Sequence, residues 1–433
     1  MFKKISSLKN GFTLVELMIV IVIIGVLTTL IIVSLDNTKM TARNARRLAD
    51  IKQIQLALKM YYNDAGEFPA SITAGSSISR GGANYMLRVP SSPKPWPDNG
   101  CPDEDYKYTP LEGGKRYMLS FCLGDTTDDL SKGSHIATSN GILNCPTGYI
   151  PVPGSAELET NDFCVMKYEA KCALNSTATS GEVTPATLTS GTYDDVTTPC
   201  TTPRVVGSFS TGLSIGNISQ ADAKARCQAI GGNLITNAQW MTIARNIEQV
   251  ATNWWNGTTS VVGSGEISRG HYNNNLIAMP DGSSSFGTGG ATHAFKRDLT
   301  LLSGDTIKDF SGNLAEWVDN TCLGLTTNAQ GYYYKDADGG TVATLEWTSS
   351  FLDDYERPIS GPSSSSYSST QGIGQYTECA LNNNAFLRGG SADETAEAGI
   401  YRLNLRKFTN IPNNQDHGLG SLIRYLYGFR CVK

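Results

Sequence analysis

One carboxylate stands in an otherwise apolar stretch. From Phe12 to Leu35 the chain reads FTLVELMIVIVIIGVLTTLIIVSL, and Glu16 is the single charge before the run ends. A carboxylate at membrane depth is costly and is kept where it has a partner and a task, so Glu16 is a candidate functional residue. Ten cysteines follow (Cys101, Cys122, Cys145, Cys164, Cys172, Cys200, Cys227, Cys322, Cys379 and Cys431), with no CxxC among them, and the four histidines do not cluster with them. That spacing does not suit a zinc thiolate centre. An even, scattered set fits disulfides formed in an oxidising compartment, and Cys101 and Cys122, flanking a hairpin-like segment, are the first expected pair. A third constellation lies in KDFSGNLAEWVDN, Lys308 to Asn320. Asp309 and Glu316 supply hard oxygen donors there, and a turn through Gly312 lets backbone carbonyls converge, that of Leu314 included, as a calcium ion requires. The same stretch also reads as a plain turn at Gly312-Asn313 with Trp317 in the core and Glu316 paired to an arginine.

Nucleophile, metalloprotease, Walker and dinucleotide motifs are absent. The adjacent acids Asp103-Glu104 and Asp353-Asp354 are better explained as solvated loop residues than as an aimed acid pair. In GIYRLNLRK, Gly399 to Lys407, period two places Tyr401, Leu403 and Leu405 on one face and Arg402, Asn404 and Arg406 on the other. A strand with a buried apolar face and an arginine-bearing outer face is the expectation. The polar stretch beyond it carries His417, Arg424 and Tyr425, and Arg and Tyr on loops over a rigid scaffold are common binding material. Arg402, Arg406, Lys407, Phe408, His417, Arg424 and Tyr425 are therefore the candidate ligand-binding residues, while Tyr427 and Phe429 beside Cys431 read as core.

The elements that must position these groups follow from pattern. The chain has 433 residues, enough for two or three domains, with 35 basic and 40 acidic side chains and a formal charge of −5. Bulk electrostatic binding of nucleic acid is excluded on that balance. The apolar run is long enough to span a bilayer core of about 30 Å as a helix, and three lysines before it orient the N-terminus toward the cytoplasm. Leu48, Ile51, Ile54, Leu58 and Tyr61 continue the helical spacing to about Tyr62, ahead of Gly66. Short apolar pieces at Tyr85–Val89, Tyr106–Tyr108 and Tyr117–Leu123 are expected to cover the outer half of the helix as a sheet. Ser219 and Thr236 read as N-caps of two further helices.

The first segment resembles the leader of type IV pilins and pseudopilins: a basic leader, Gly11, Phe12, a glutamate five residues after the glycine, then an uninterrupted apolar helix. The resemblance implies cleavage between Gly11 and Phe12 by a prepilin peptidase, methylation of the Phe12 amine, and pairing of Glu16 with that amine on a neighbouring subunit. Other pilin subunits, the peptidase and, before assembly, the cytoplasmic membrane are the implied partners, and an extracellular pilus-like filament is the implied final location. YYNDAGEFP, just past the helix, is also pilin-like.

Nearly 300 residues remain after Cys145, far more than a pilin head of about 100 residues needs. CPTGYIPVPG…NDFCVMKYEAK, the segment from Ile218 to Ile247, GNLAEW, RGGS and GFRC, in that order, resemble the formylglycine-generating-enzyme/sulfatase-modifying-factor domain of the C-type lectin-like fold. The resemblance implies a Cys227–Cys431 disulfide and calcium ligands at Asp309, Gly312, Leu314 and Glu316, in a structural role. The family's catalytic cysteine pair falls where this chain has Glu394 and Gly399, so thiolate chemistry is not expected. Order along the chain suggests the remaining pairs Cys145–Cys164, Cys172–Cys200 and Cys322–Cys379. The stretch from RGGS to GFRC also resembles the variable region of lectin-fold proteins diversified by retroelements.

The expected class is α+β: a leader over 1–11, a long helix with a small antiparallel sheet over 12–137, a linker at 138–144, and an irregular lectin-like domain over 145–433. The expected function is that of a minor or tip pilin-like subunit, not an enzyme, displaying a head that recognises a surface protein or glycan. A filament-displayed enzyme of the formylglycine-generating fold and a secretion-system pseudopilin are the alternatives.

Overall fold

The computed structural model of the chain describes all residues except 1–12, 95–97, 99, 103, 128–129, 176–177, 179, 181–199, 201–203, 213, 217, 273–295, 322–343, 346–368, 378–383, 392–393, 395–397 and 409–426; the side chains of 27–37, 344–345, 369, 376–377, 384 and 405–408 are also outside the description. The described chain is mixed α+β, a long N-terminal helix followed by small, mostly antiparallel sheets.

Helix α1 spans Leu14–Ala65, a rod of about 78 Å at 1.5 Å per residue. It starts in a capping box: Thr13 Oγ1 accepts from the Glu16 N–H at 3.2 Å while the Glu16 carboxylate accepts from the Thr13 N–H at 2.9 Å. It stops at Gly66, whose φ of 73° needs no Cβ accommodated and whose N–H donates to the Tyr62 carbonyl at 2.8 Å. The helix thus ends at the expected stop, Asp64-Ala65-Gly66, on a residue suited to a left-handed cap. Among the described residues no helix is long and apolar enough to cross a membrane.

A four-stranded antiparallel sheet packs on the outer half of α1, formed by β1 (Lys107–Leu111), β2 (Arg116–Leu123), β3 (Gly133–Thr138) and β4 (Gly141–Leu143) in that spatial order. Tyr117, Leu119, Phe121 and Leu123 alternate toward the helix and meet Leu48, Ile51, Ile54, Ala57 and Leu58 in one apolar cluster. Residues 138–144, expected as a linker, are not a free tether. Thr138 ends β3, and Gly141–Leu143 pair back onto it as the edge strand, because Ser139-Asn140 makes the tight turn and Ile142 packs against the apolar cluster.

Beyond Cys145 the described residues form three two-stranded ribbons and two larger sheets on which the head is built. The smaller has β5 (Tyr149–Val152) and β6 (Phe163–Met166) at one side and β7 (Asn233–Leu234) at the other. The larger is centred on β8 (Ala315–Thr321), β9 (Asn384–Arg388), β10 (Leu403–Phe408) and β11 (Tyr427–Phe429), with β11 parallel to β8. After β11 the chain passes through Arg430 into β12 (Cys431–Val432), which fills the smaller sheet between β6 and β7. Arg430 therefore sits where one strand path changes sheets. Helices α2 (Gln220–Ala229) and α3 (Asn237–Glu248) begin at Ser219 and Thr236, whose hydroxyls accept from the N–H groups of Asp222 and Gln239. Trp240 of α3 stacks on Phe310 with ring centroids 3.9 Å apart and donates to the Ile400 carbonyl. Disulfides join Cys101 to Cys122, Cys145 to Cys164, Cys172 to Cys200 and Cys227 to Cys431; Cys322 and Cys379 lie outside the described residues.

Candidate functional site

Along the first two turns and beyond, α1 presents apolar side chains to the outside: Leu14 is 74% exposed, and every large apolar residue from Val15 to Val26 is exposed with it. Such a surface is stable only against lipid or other apolar helices. Glu16 lies within it. Its Oε2 takes both the N–H and the hydroxyl of Thr13 at 2.9 Å, so in the single chain the helix cap partly satisfies the carboxylate. The T-x-x-E box at 13–16 was legible as a helix start, and attention to the acid alone misses it. Gly11 and Phe12 lie outside the described residues.

The turn from Lys308 to Glu316 is ordered by buried ion pairs. Asp309, at a φ of 50°, receives both the Nε and Nη2 of Arg297. Glu316 receives Arg430 Nε at 2.7 and 3.0 Å, and all four of these residues are buried. Gly312, at a φ of 75°, is pressed against the backbone, and a Cβ there would come within 2.5 Å of the His271 carbonyl oxygen. Asn313 Nδ2 and the Leu314 N–H both donate to the Glu169 carboxylate, at 2.6 and 3.1 Å. The four expected calcium ligands thus share one turn, yet each carboxylate is matched by a guanidinium and Leu314 directs its N–H at an acid. A calcium ion bound through these two carboxylates would have to displace Arg297 and Arg430. Among the described residues no group of three or more His, Cys, Asp or Glu side chains is placed to hold a metal. The partners Glu169, Arg297 and Arg430 carry no local signal, since they come from 12 to 145 residues away in sequence.

The C-terminal strand differs from its expected pattern at one end. Arg402 is only 2% exposed: its Nη2 and Nε reach Glu394 at 3.0 and 3.1 Å, and Nη1 reaches the Gln375 carbonyl at 3.2 Å. It is not a surface contact residue. Strand pairing starts at Leu403, whereas Arg402 still belongs to a turn closed by its N–H on the Gly399 carbonyl, so period-two reasoning begins one residue too early. Lys407 pairs with Ala385 and Phe408 with Asn384 in the ladder. The side chains of Arg406, Lys407 and Phe408, and the whole of His417, Arg424 and Tyr425, lie outside the description. Tyr427 and Phe429 are core.

Glu394 is held by Arg402, and a Cβ on Gly399 would come within 2.2 Å of the Ile373 carbonyl carbon.

The head is seated on the small sheet through a polar clasp from both sides. Glu112, in the β1–β2 turn, accepts from Ser155 Oγ at 2.9 Å and from the Ala156 N–H at 2.7 Å. Asp162 of the head accepts from Arg116 Nη2, Thr138 Oγ1, Asn140 Nδ2 and the Gly154 N–H, at 2.6 to 3.1 Å. Lys107 Nζ donates to the Leu302 carbonyl at 3.0 Å. A cavity of about 110 Å³ lies in this seam beside Glu112 and Arg245. No sequence rule pairs these residues, and the seam is legible only in three dimensions.

Residues 6–32 match the prokaryotic N-terminal methylation motif. Over 153 residues, 31% of this chain, the sequence is 33% identical to type II secretion system core protein G of Dickeya chrysanthemi, spanning 97% of that protein. It is 34% identical over 96 residues to the protein of the same name from Escherichia coli (strain K12), spanning 20% of this chain and 66% of the relative. Against that of Vibrio cholerae it is 30% identical over 136 residues, 29% of this chain and 87% of the relative. Treponema denticola variable protein 1 aligns over 76% of this chain and 98% of its own at 12% identity, with a TM-score of 0.21, too low to bear on the fold of the head.

Proposed function

The chain belongs to the type II secretion system core protein G family, and on that premise we propose that it is a minor or tip pilin-type subunit carrying a non-catalytic, lectin-like ligand-binding head. The leader ending at Gly11 is removed by a prepilin peptidase, the Phe12 amine is methylated, and α1 leaves the membrane to pack among neighbouring apolar helices. Glu16 exchanges its local bonds to Thr13 for the Phe12 amine of the next subunit, because a carboxylate enclosed by apolar helices is stable only when paired. The observation that carries this reading is the methylation motif feeding an outward-facing apolar helix on which one acid is placed.

The head's recognition role rests on its bulk, on its fixed seat on the sheet, and on the Glu394–Arg402 pair and packed Gly399 that stand in place of a reactive thiol pair. Its ligand is a surface protein or glycan, met by the C-terminal segment that carries Arg406, Lys407, Phe408, His417, Arg424 and Tyr425. A second reading, a pseudopilin of a secretion apparatus, is favoured by the names of the matched relatives. The test is mass spectrometry of the mature N-terminus together with recovery of tagged protein in sheared filaments. A methylated Phe12 and loss of the Glu16→Ala variant from filaments are expected. A mature chain starting elsewhere, or unaltered recovery of the variant, overturns the proposal, and deleting the pilus or the secretion ATPase separates the two readings.

A further inference from the structure

The seam between the small sheet and the head is not filled throughout. Its cavity of about 110 Å³ is about ten times the space that one water needs. Both units supply its walls: Leu111 and Glu112 come from the small sheet, and Leu158, Asn246, Gln249 and Leu302 from the head. Three of these side chains share one arrangement. Each is anchored through one polar atom, while its other polar atom has no hydrogen-bond partner among the described residues. Glu112 Oε1 accepts from Ser155 Oγ at 2.9 Å and from the Ala156 N–H at 2.7 Å, but its enclosed Oε2 accepts nothing. Asn246 is only 6% exposed, and its Oδ1 accepts from the Leu302 N–H at 2.7 Å, which leaves Nδ2 as an unused donor. Gln249 Nε2 donates to the Arg245 carbonyl at 3.0 Å, which leaves Oε1 as an unused acceptor. Backbone partners therefore set the orientation of both amides. Glu112 also holds a φ of 50°, a conformation that a residue with a Cβ adopts at a cost.

We infer that the seam cavity is a binding site for one neutral sugar residue, whose hydroxyls donate to Glu112 and Gln249 and accept from Asn246. Hydrogen-bond chemistry decides the class. An ammonium satisfies the two acceptors but leaves Asn246 Nδ2 unmet, and a carboxylate has the reverse fault. Charge points the same way. Glu112 and Glu157 line the cavity with Arg245, whose Nη1 lies 3.2 Å from the Glu157 carboxylate. An anion meets two acids there, and a cation comes beside a guanidinium. A hydroxyl both donates and accepts, so neighbouring hydroxyls on one ring match all three half-anchored groups. Leu111, Leu158 and Leu302 give apolar wall for the C–H faces of that ring. Because each polar group is already anchored at one end, binding orders little that is loose. An occupant touching both walls also ties the head to the sheet, and so stabilises the seated arrangement. The site is separate from the C-terminal segment and does not depend on the assembly reading.

The test is saturation-transfer NMR on the full chain, held in a detergent without a sugar headgroup. The probes are methyl α-D-glucoside, methyl β-D-galactoside and N-acetyl-D-glucosamine, with glycine and acetate as charged counterparts. At about 10 mM, at least one sugar is expected to receive saturation and to raise the melting midpoint, as a Kd of about 1 mM gives. Two isosteric variants keep each anchor and change only the unused atom. Asn246→Asp retains Oδ1 for the Leu302 N–H, and Glu112→Gln retains Oε1 for Ser155 and Ala156. Each is expected to weaken sugar binding about tenfold. Gln249→Ala, at an exposed position, is expected to do the same with its unliganded midpoint unchanged. Saturation of none of the sugars overturns the inference. Sugar binding at wild-type strength in Gln249→Ala and Glu112→Gln lies elsewhere on the chain and overturns it too. Saturation of glycine or acetate alone overturns the choice of a neutral sugar.

Discussion

Replacing Glu316 with alanine tests how the head's central turn is held. Arg430 is fully buried at the point where the chain passes from β11 to β12, and besides Glu316 it donates to the carbonyls of Met166, Lys167 and Lys308. Those carbonyls supply partial charge but no full counter-charge. Removing the carboxylate leaves an enclosed guanidinium uncompensated, a loss of about 3–5 kcal/mol. For a domain of this size each kcal/mol moves the midpoint by about 2–4 °C, so the head should melt about 6–20 °C lower. Glu316→Gln retains an acceptor but not the counter-charge, and is expected to lose somewhat less than Glu316→Ala. Differential scanning calorimetry of the full chain, with and without EDTA, reads all of this. Because Asp309 and Glu316 are matched by arginines, EDTA is expected to leave the wild-type midpoint unchanged. The reasoning fails if Glu316→Ala costs less than about 1 kcal/mol, or if EDTA lowers the wild-type midpoint and has no effect on the variant.

The Arg43 guanidinium, hydrogen-bonded to Asp98 and joined there by Arg47, holds the Asp98 carboxyl below its ordinary 3.8. A lowered carboxyl pKa stabilises the fold fully above that ordinary value, and the contribution disappears as pH falls through the lower folded value. Acid unfolding of the α1–sheet unit, followed by circular dichroism below about pH 4, should therefore lose a component in Asp98→Asn; an unchanged profile would count against the pair. Removing the Cys227–Cys431 bridge as a double alanine variant opens a link across 204 residues and should cost about 5 kcal/mol in chain entropy, measured as a lower denaturant midpoint under oxidising conditions.

Much of the local organisation was readable. The apolar run, the spacing of Leu48 to Tyr61 and the glycine at position 66 give a long helix with a definite end, because helix periodicity and a left-handed cap are properties of neighbouring residues. Ser219 and Thr236 announced their helices for the same reason. The short apolar piece at Tyr117–Leu123 marked a strand covering the helix, though not that its second face would also be covered. Period two failed at Arg402, where a turn and Glu394 decide burial.

By itself the sequence determined the leader motif, the apolar helix with its one acid, the caps, and the presence of a second large unit, since each depends on residue type at short range. Only the tertiary structure decided that residues 141–143 close the sheet instead of tethering the head, that Asp309 and Glu316 face Arg297 and Arg430, and that Glu112 and Asp162 clasp the two units together. Those outcomes join groups up to 114 residues apart, and charge pairing in a low-dielectric interior depends on where the chain brings such groups into contact, which no local pattern records.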